Sequence, residues 1–192
     1  MHLRDEALAF SRCVVSVMGD HAGEGSAAIF QRKAADIERA GRTLWLVRSP
    51  KARPPRVQEL CRNGPAFALF VEPARHGGAR PTMASSAATQ FSADGERWQP
   101  LPSGIGPVTG KLDATASGLV LDRLETVNGG TLDLWNYGQF PAGNEPVKFI
   151  LGCSTVCTVR KDTSLHDERT KSRYRLIVAV ARLANPYGVW LR

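Results

Sequence analysis

The sequence predicts a mixed α+β fold, in which an N-terminal βαβαβ layer joins a mostly antiparallel, partly barrel-like, strand-rich remainder. Three observations lead there. The first third alternates short apolar runs with an amphipathic helical pattern. A stretch rich in Pro, Gly, Ser and Ala then interrupts the chain between residues 74 and 88. Beyond it, short apolar and aromatic runs recur between turn signals. The expected division is an α/β subdomain over 1–73, a loop or linker over 74–88 and a β-rich subdomain over 89–192, with one continuous domain as the alternative.

The first strand is CVVSVM, Cys13 to Met18, a short buried-type run. The turn-rich GDHAGEG follows, and Ser26 is placed to cap the next helix. In SAAIFQRKAADIERAG, Ala27, Ile29, Phe30, Ala34, Ile37 and Ala40 form an apolar stripe. Gln31, Arg32, Lys33, Asp36, Glu38 and Arg39 fill the other face, and Gly41 suits the left-handed terminating position. RTLWLV, Arg42 to Val47, reads as a second strand, PRVQELCRNG as a short helix with Pro55 near its start, and AFALFVE as a third strand. Such alternation predicts parallel pairing with covering helices. Later strands are expected in QFSAD, RWQPL, GPVTGKL, GLVLDRLETV, TLDLWNY, VKFILGCSTVCTVRK and RYRLIVAVARL, with a hairpin at Asn128-Gly129.

The chain of 192 residues is long enough to bury a core without disulfides or metals. Cys13, Cys61, Cys153 and Cys157 form no C-x-x-C pair and read as core residues. No apolar stretch approaches the roughly 18 residues of a membrane span, so no membrane partner is expected. The N-terminus lacks a secretory pattern, which makes the cytoplasm the expected location.

Twenty-five Lys and Arg oppose 18 Asp and Glu, a formal charge of +7, which points to nucleic acid as partner. The loop RSPKARPPR brings Arg48, Lys51, Arg53 and Arg56, and the loop after the third strand adds Arg75, His76 and Arg80. In a parallel layer these loops would converge at one sheet edge and offer phosphate contacts. Arg173 and Arg175 belong to a second, mixed-sign cluster with Arg160, Lys161, Arg169 and Lys171, interrupted by Asp162, Asp167 and Glu168. Aromatics such as Trp98, Trp135, Tyr137, Phe140 and Tyr174 lie nearby in sequence and suit base stacking as well as core packing.

The loop GDHAGEGS matches neither the P-loop nor the dinucleotide fingerprint, and its acids oppose a phosphate. Asp20, Glu24 and Glu72 instead suit metal ligation, with Asp20, His21 and His76 available for acid–base work. The leading reading is therefore a non-catalytic DNA- or RNA-binding protein without cofactor, suited to be a subunit of a larger complex. One alternative is a Mg²⁺-dependent phosphodiesterase, nuclease or nucleotide hydrolase. Another is a protein–protein interaction module that docks through the terminal PYGVWLR.

Overall fold

The computed structural model describes residues 2–18, 24–73, 86–114, 116–141, 156–162 and 174–192. Its class is the expected mixed α+β, with a mixed sheet. Helix α1 (Leu3–Ala9), which the sequence reading did not foresee, buries the i, i+4 pair Leu3 and Ala7. Then come β1 (Arg12–Val17), α2 (Ser26–Ala40), β2 (Thr43–Val47), a 3₁₀ turn at Pro50–Ala52, α3 (Pro54–Leu60) and β3 (Phe67–Val71). The remaining strands are β4 (Ser86–Ala87), β5 (Gln90–Ser92), β6 (Gln99–Pro100), β7 (Thr109–Gly110), β8 (Ser117–Thr126), β9 (Thr131–Asp133), β10 (Tyr137–Gln139), β11 (Val156–Lys161) and β12 (Tyr174–Leu191).

Local signals set several boundaries as expected. Gly41 ends α2 in the left-handed conformation, φ 71°, and its N–H donates to Ile37 O at 2.8 Å. Prolines occupy the first turn of α3. The N-cap of α2 is Gly25 rather than Ser26, and no side chain caps it.

Strand pairing departs from the parallel layer. Only β1 and β3 pair in parallel among the described strands. The second strand, β2, lies beyond β12 and β8 and runs antiparallel to β8. The main sheet follows the path β10–β11–β1–β3–β12–β8–β2, so the 1–73 and 89–192 segments interleave within it. An apolar run such as TLWLV carries a strand signal but no partner signal, and the long β8–β12 ladder supplies the edge it joins.

The sheet curls. Three interstrand steps of about 4.8 Å separate β3 from β2, yet Phe70 and Trp45 meet with ring centroids 4.3 Å apart. Phe30 of α2 packs on both, at 5.5 and 5.6 Å. After β2 the chain reaches the far side of the curl, where Ser49 Oγ donates to Val156 O at 2.6 Å. No closed barrel is found among the described strands, where side-chain bonds such as that of Ser49 span this gap. No described helix is long and apolar enough to cross a membrane.

Two packed layers result from strand alternation. Val14, Ala68 and Phe70 face the core under α2 and α3. Cys13, Val15, Phe67, Leu69, Cys157 and Val159 face the core that includes Leu3 and Ala7 of α1. Burial pushes the thiols of Cys61 and Cys157 up to about 12 and that of Cys13 higher still. These three cysteines are free, buried core residues, as expected, and Cys153 lies outside the described residues.

Asn128-Gly129 does not make a hairpin. Strands β8 and β9 follow one another along the same partner, β12, instead of folding back together. Gly129 and Gly130, with φ of 88° and 128°, let residues 127–130 bulge out before pairing resumes.

The polar face assigned to α2 also needs correcting. Lys33 and Asp36 are buried, because residues 104–107 lie across that face. The Asp36 carboxylate accepts from Thr43 Oγ1 (2.8 Å), Gly106 N (2.9 Å) and Arg39 Nη2 (2.7 Å). Lys33 Nζ stands 3.8 Å from it and has no hydrogen-bond partner among the described residues. Burial first, then the neighbouring Arg32, pushes the Lys33 amine down to about 8, with Asp36 and Glu24 opposing.

Between that value and the ordinary 10.5 of a free lysine, the unfolded chain binds a proton that the folded chain lacks. The contribution of Lys33 to stability therefore rises with pH from about 8 to about 10.5. The buried thiols of Cys13, Cys61 and Cys157 act in the opposite sense above about 9, where the unfolded chain ionises them first. Lys33→Met isolates the lysine: by urea denaturation, the stability of the wild type minus that of the variant should rise with pH from about 8 to about 10.5. The variant is neutral or stabilising at neutral pH, since a buried charge without good partners is costly.

Candidate nucleic-acid interface

The loop RSPKARPPR is built around Ser49, which is 2% exposed. Its hydroxyl donates to Val156 O and accepts from Lys51 N at 3.2 Å. Thr158 Oγ1 of β11 bonds Lys51 O at 3.1 Å, and the same hydroxyl lies 3.0 Å from Phe140 O. Ala52, Pro54 and Val57 are buried beneath. The loop backbone is thus fixed against β11 and the curl.

The charges of this loop meet different fates. Arg48 forms an ion pair with Asp113 at 2.7 Å, which also draws Lys111 at 4.0 Å. Lys51, Arg53 and Arg56 have side chains with no hydrogen-bond or ion-pair partner among the described residues; Arg53 is exposed, and Lys51 and Arg56 are half-buried. Arg175 is half-buried at the far end of β12 and donates to Tyr174 O at 2.9 Å. Helix α3 meets β12 near Gly188, where an added Cβ would lie 2.9 Å from Pro54 Cα. Arg175 therefore stands apart from Lys51, Arg53 and Arg56. Arg75, His76, Arg80 and Arg173 lie outside the described residues. Because β2 is not parallel to β1 and β3, the expected convergence of loops at one sheet edge has lost its geometric basis.

The structure adds basic residues that the sequence reading left out of its interface. Arg12 and Arg160 are directly opposite in the β1–β11 register and so share a face of the sheet. It is the face of Val14 and Thr158, which α3 and the 3₁₀ turn cover. Arg12 is half-buried, with its guanidinium 4.9 Å over the Phe140 ring and no ion-pair partner among the described residues. Among the described residues Arg160 has only Asp162, at 3.6 Å. Arg62, exposed in the turn after α3, is also unpaired among the described residues. Residues 10–12 and 63–65, with Leu60, line an open cleft of about 240 Å³ beside these cations. The sequence carried the strands but no signal of their register, and only the register sets Arg12 beside Arg160.

The acidic candidates divide in the same way. Both Glu24 oxygens are engaged by Arg32, at 2.8 and 3.2 Å. Glu72 lines a second cleft of about 370 Å³, with Phe30, Val127 and Val178 among its apolar walls. Asp20 and His21 lie outside the described residues. Among the described residues no group of three or more His, Cys, Asp or Glu side chains is placed to hold a metal. The terminal segment pairs within its own chain: Trp190 opposes Ser92 and Ser117, and Leu191 opposes Phe91.

No family model matches this chain, and neither a curated protein nor a solved structure matches it.

Like charges directly opposite on adjacent strands destabilise a sheet. Arg160→Thr is therefore expected to raise the unfolding free energy by about 0.2–1 kcal/mol at low salt. The gain should shrink in high salt, where the repulsion is screened. Urea titrations at two ionic strengths check both parts.

Proposed function

We propose that this chain binds nucleic acid without catalysing a reaction on it, through phosphate contacts from the α3 side of the curled sheet. The observation that carries the reading is the grouping of Lys51, Arg53, Arg56, Arg62, Arg12 and Arg160 around one turn, one short helix and one strand pair. Most of these cations have no carboxylate partner among the described residues, in a chain of formal charge +7. Arginine forks in a fixed backbone suit phosphate oxygens, because little side-chain freedom remains to be lost per bond formed. Arg48 contributes less, since Asp113 neutralises it. The hydrolase alternative is weaker: one of its acids, Glu24, already serves Arg32.

Fluorescence anisotropy with labelled single-stranded DNA, duplex DNA and RNA tests the reading. Binding is expected at low salt and should fall steeply as salt rises, through counterion release. The double variant Arg53→Gln, Arg56→Gln should weaken every probe and flatten the log–log salt slope by about 2. Arg48→Gln should leave affinity within about twofold, because that charge is already spent on Asp113. Absence of binding to all three probes at low salt overturns the proposal.

A further inference from the structure

We propose that the cleft between Phe10, Arg12 and the turn 63–65 receives an unpaired nucleobase, so that the nucleic acid bound by this chain is single-stranded. The inference rests on the phosphate-contact reading above and names its substrate class.

Phe10 is the first reason. Large apolar side chains are mostly buried in this fold, but Phe10 keeps 37% of its surface exposed at the cleft wall. Its position is held from behind: the ring packs 5.2 Å from that of Phe67, which is 1% exposed. A ring fixed in this way, with a free surface, can stack a planar group at little entropic cost.

The second wall is Arg12. Arg12 is among the residues that line the cleft, and its guanidinium lies over the Phe140 ring at 4.9 Å. Planar guanidinium groups stack on bases as well as on aromatic side chains. Asn63 lines the same cleft, and its amide offers both a donor and an acceptor to a base edge. The turn that presents it depends on Gly64, whose φ of 143° is accessible to few other residues. The open cleft, of about 240 Å³, has room for a base.

Charge completes the case. Arg160 stands opposite the cleft residue Arg12 in the strand register, and the exposed Arg62 directly precedes Asn63, so both suit phosphates next to a bound base. A duplex buries its base faces in the stack and would leave Phe10 and Asn63 unused. Single strands expose them.

The experiment compares a labelled oligothymidylate of about 12 nucleotides with a duplex of equal length, by anisotropy at low salt. Wild-type protein is expected to prefer the single strand by about tenfold or more. Phe10→Leu keeps an apolar contact with Phe67 but removes the stacking ring. It should cost single-strand affinity about tenfold, leave duplex affinity and the thermal midpoint unchanged, and be rescued by Phe10→Trp. Equal affinity for both probes, or a Phe10→Leu protein that binds the single strand as wild type does, overturns this inference and leaves the phosphate reading standing. Failure to bind either probe overturns both.

Discussion

The backbone ladder on both edges of β12 is the constraint from which the architecture follows. One edge takes β3 and, at its far end, β5; the other takes β9 and then β8. A strand paired on both edges and packed on both faces must be apolar nearly throughout, and Ile177, Ala179, Val180, Ala181, Leu183, Val189 and Leu191 are all buried. By inserting between β3 and β8, β12 separates β2 from its sequence neighbours. The curl then brings Trp45 back to Phe70, and Gly188 admits α3 close enough to touch the strand.

Electrostatics sorts the surface left by this packing. Acidic side chains are used up locally: Glu24 on Arg32, Asp36 on Arg39, Asp113 on Arg48, Asp94 on Arg97 and Asp122 on Arg182. Glu6 and Glu125 share Arg123. Surface pairs of this kind add little stability each, but they decide where net charge remains. Among the described residues it remains on Lys51 and Arg53 in the turn before α3, on Arg62 after it and on Arg12 of β1, whereas α3 itself carries Glu59 as well as Arg56.

The candidate interface was half legible in the sequence. RSPKARPPR is a local signal of a basic, proline-broken loop leading into a helix, whereas the Ser49 bond that fixes it depends on β11, 107 residues further on. Arg12, Arg160 and Phe10 were not legible as site residues, because their meeting depends on strand register and on where the turn after α3 comes to rest. Lys33 and Asp36 show the same limit from the other side. Helical periodicity placed them with the solvent-facing polar residues, and a segment about 70 residues further on covered them.

What the sequence determined by itself was local: the strand runs of the first third, the span of α2 and its glycine terminus, the proline-started α3, the core character of the cysteines and the net positive charge. Each depends on side chains a few residues apart, whose spacing and backbone preferences act before any distant contact forms. Tertiary structure alone decided that β2 pairs with β8, that Asn128-Gly129-Gly130 bulges rather than turns back, and that two arginines face one another across β1 and β11. Those outcomes are set by competition among strand edges of similar apolar character, and that competition is resolved only by the packing of the whole sheet.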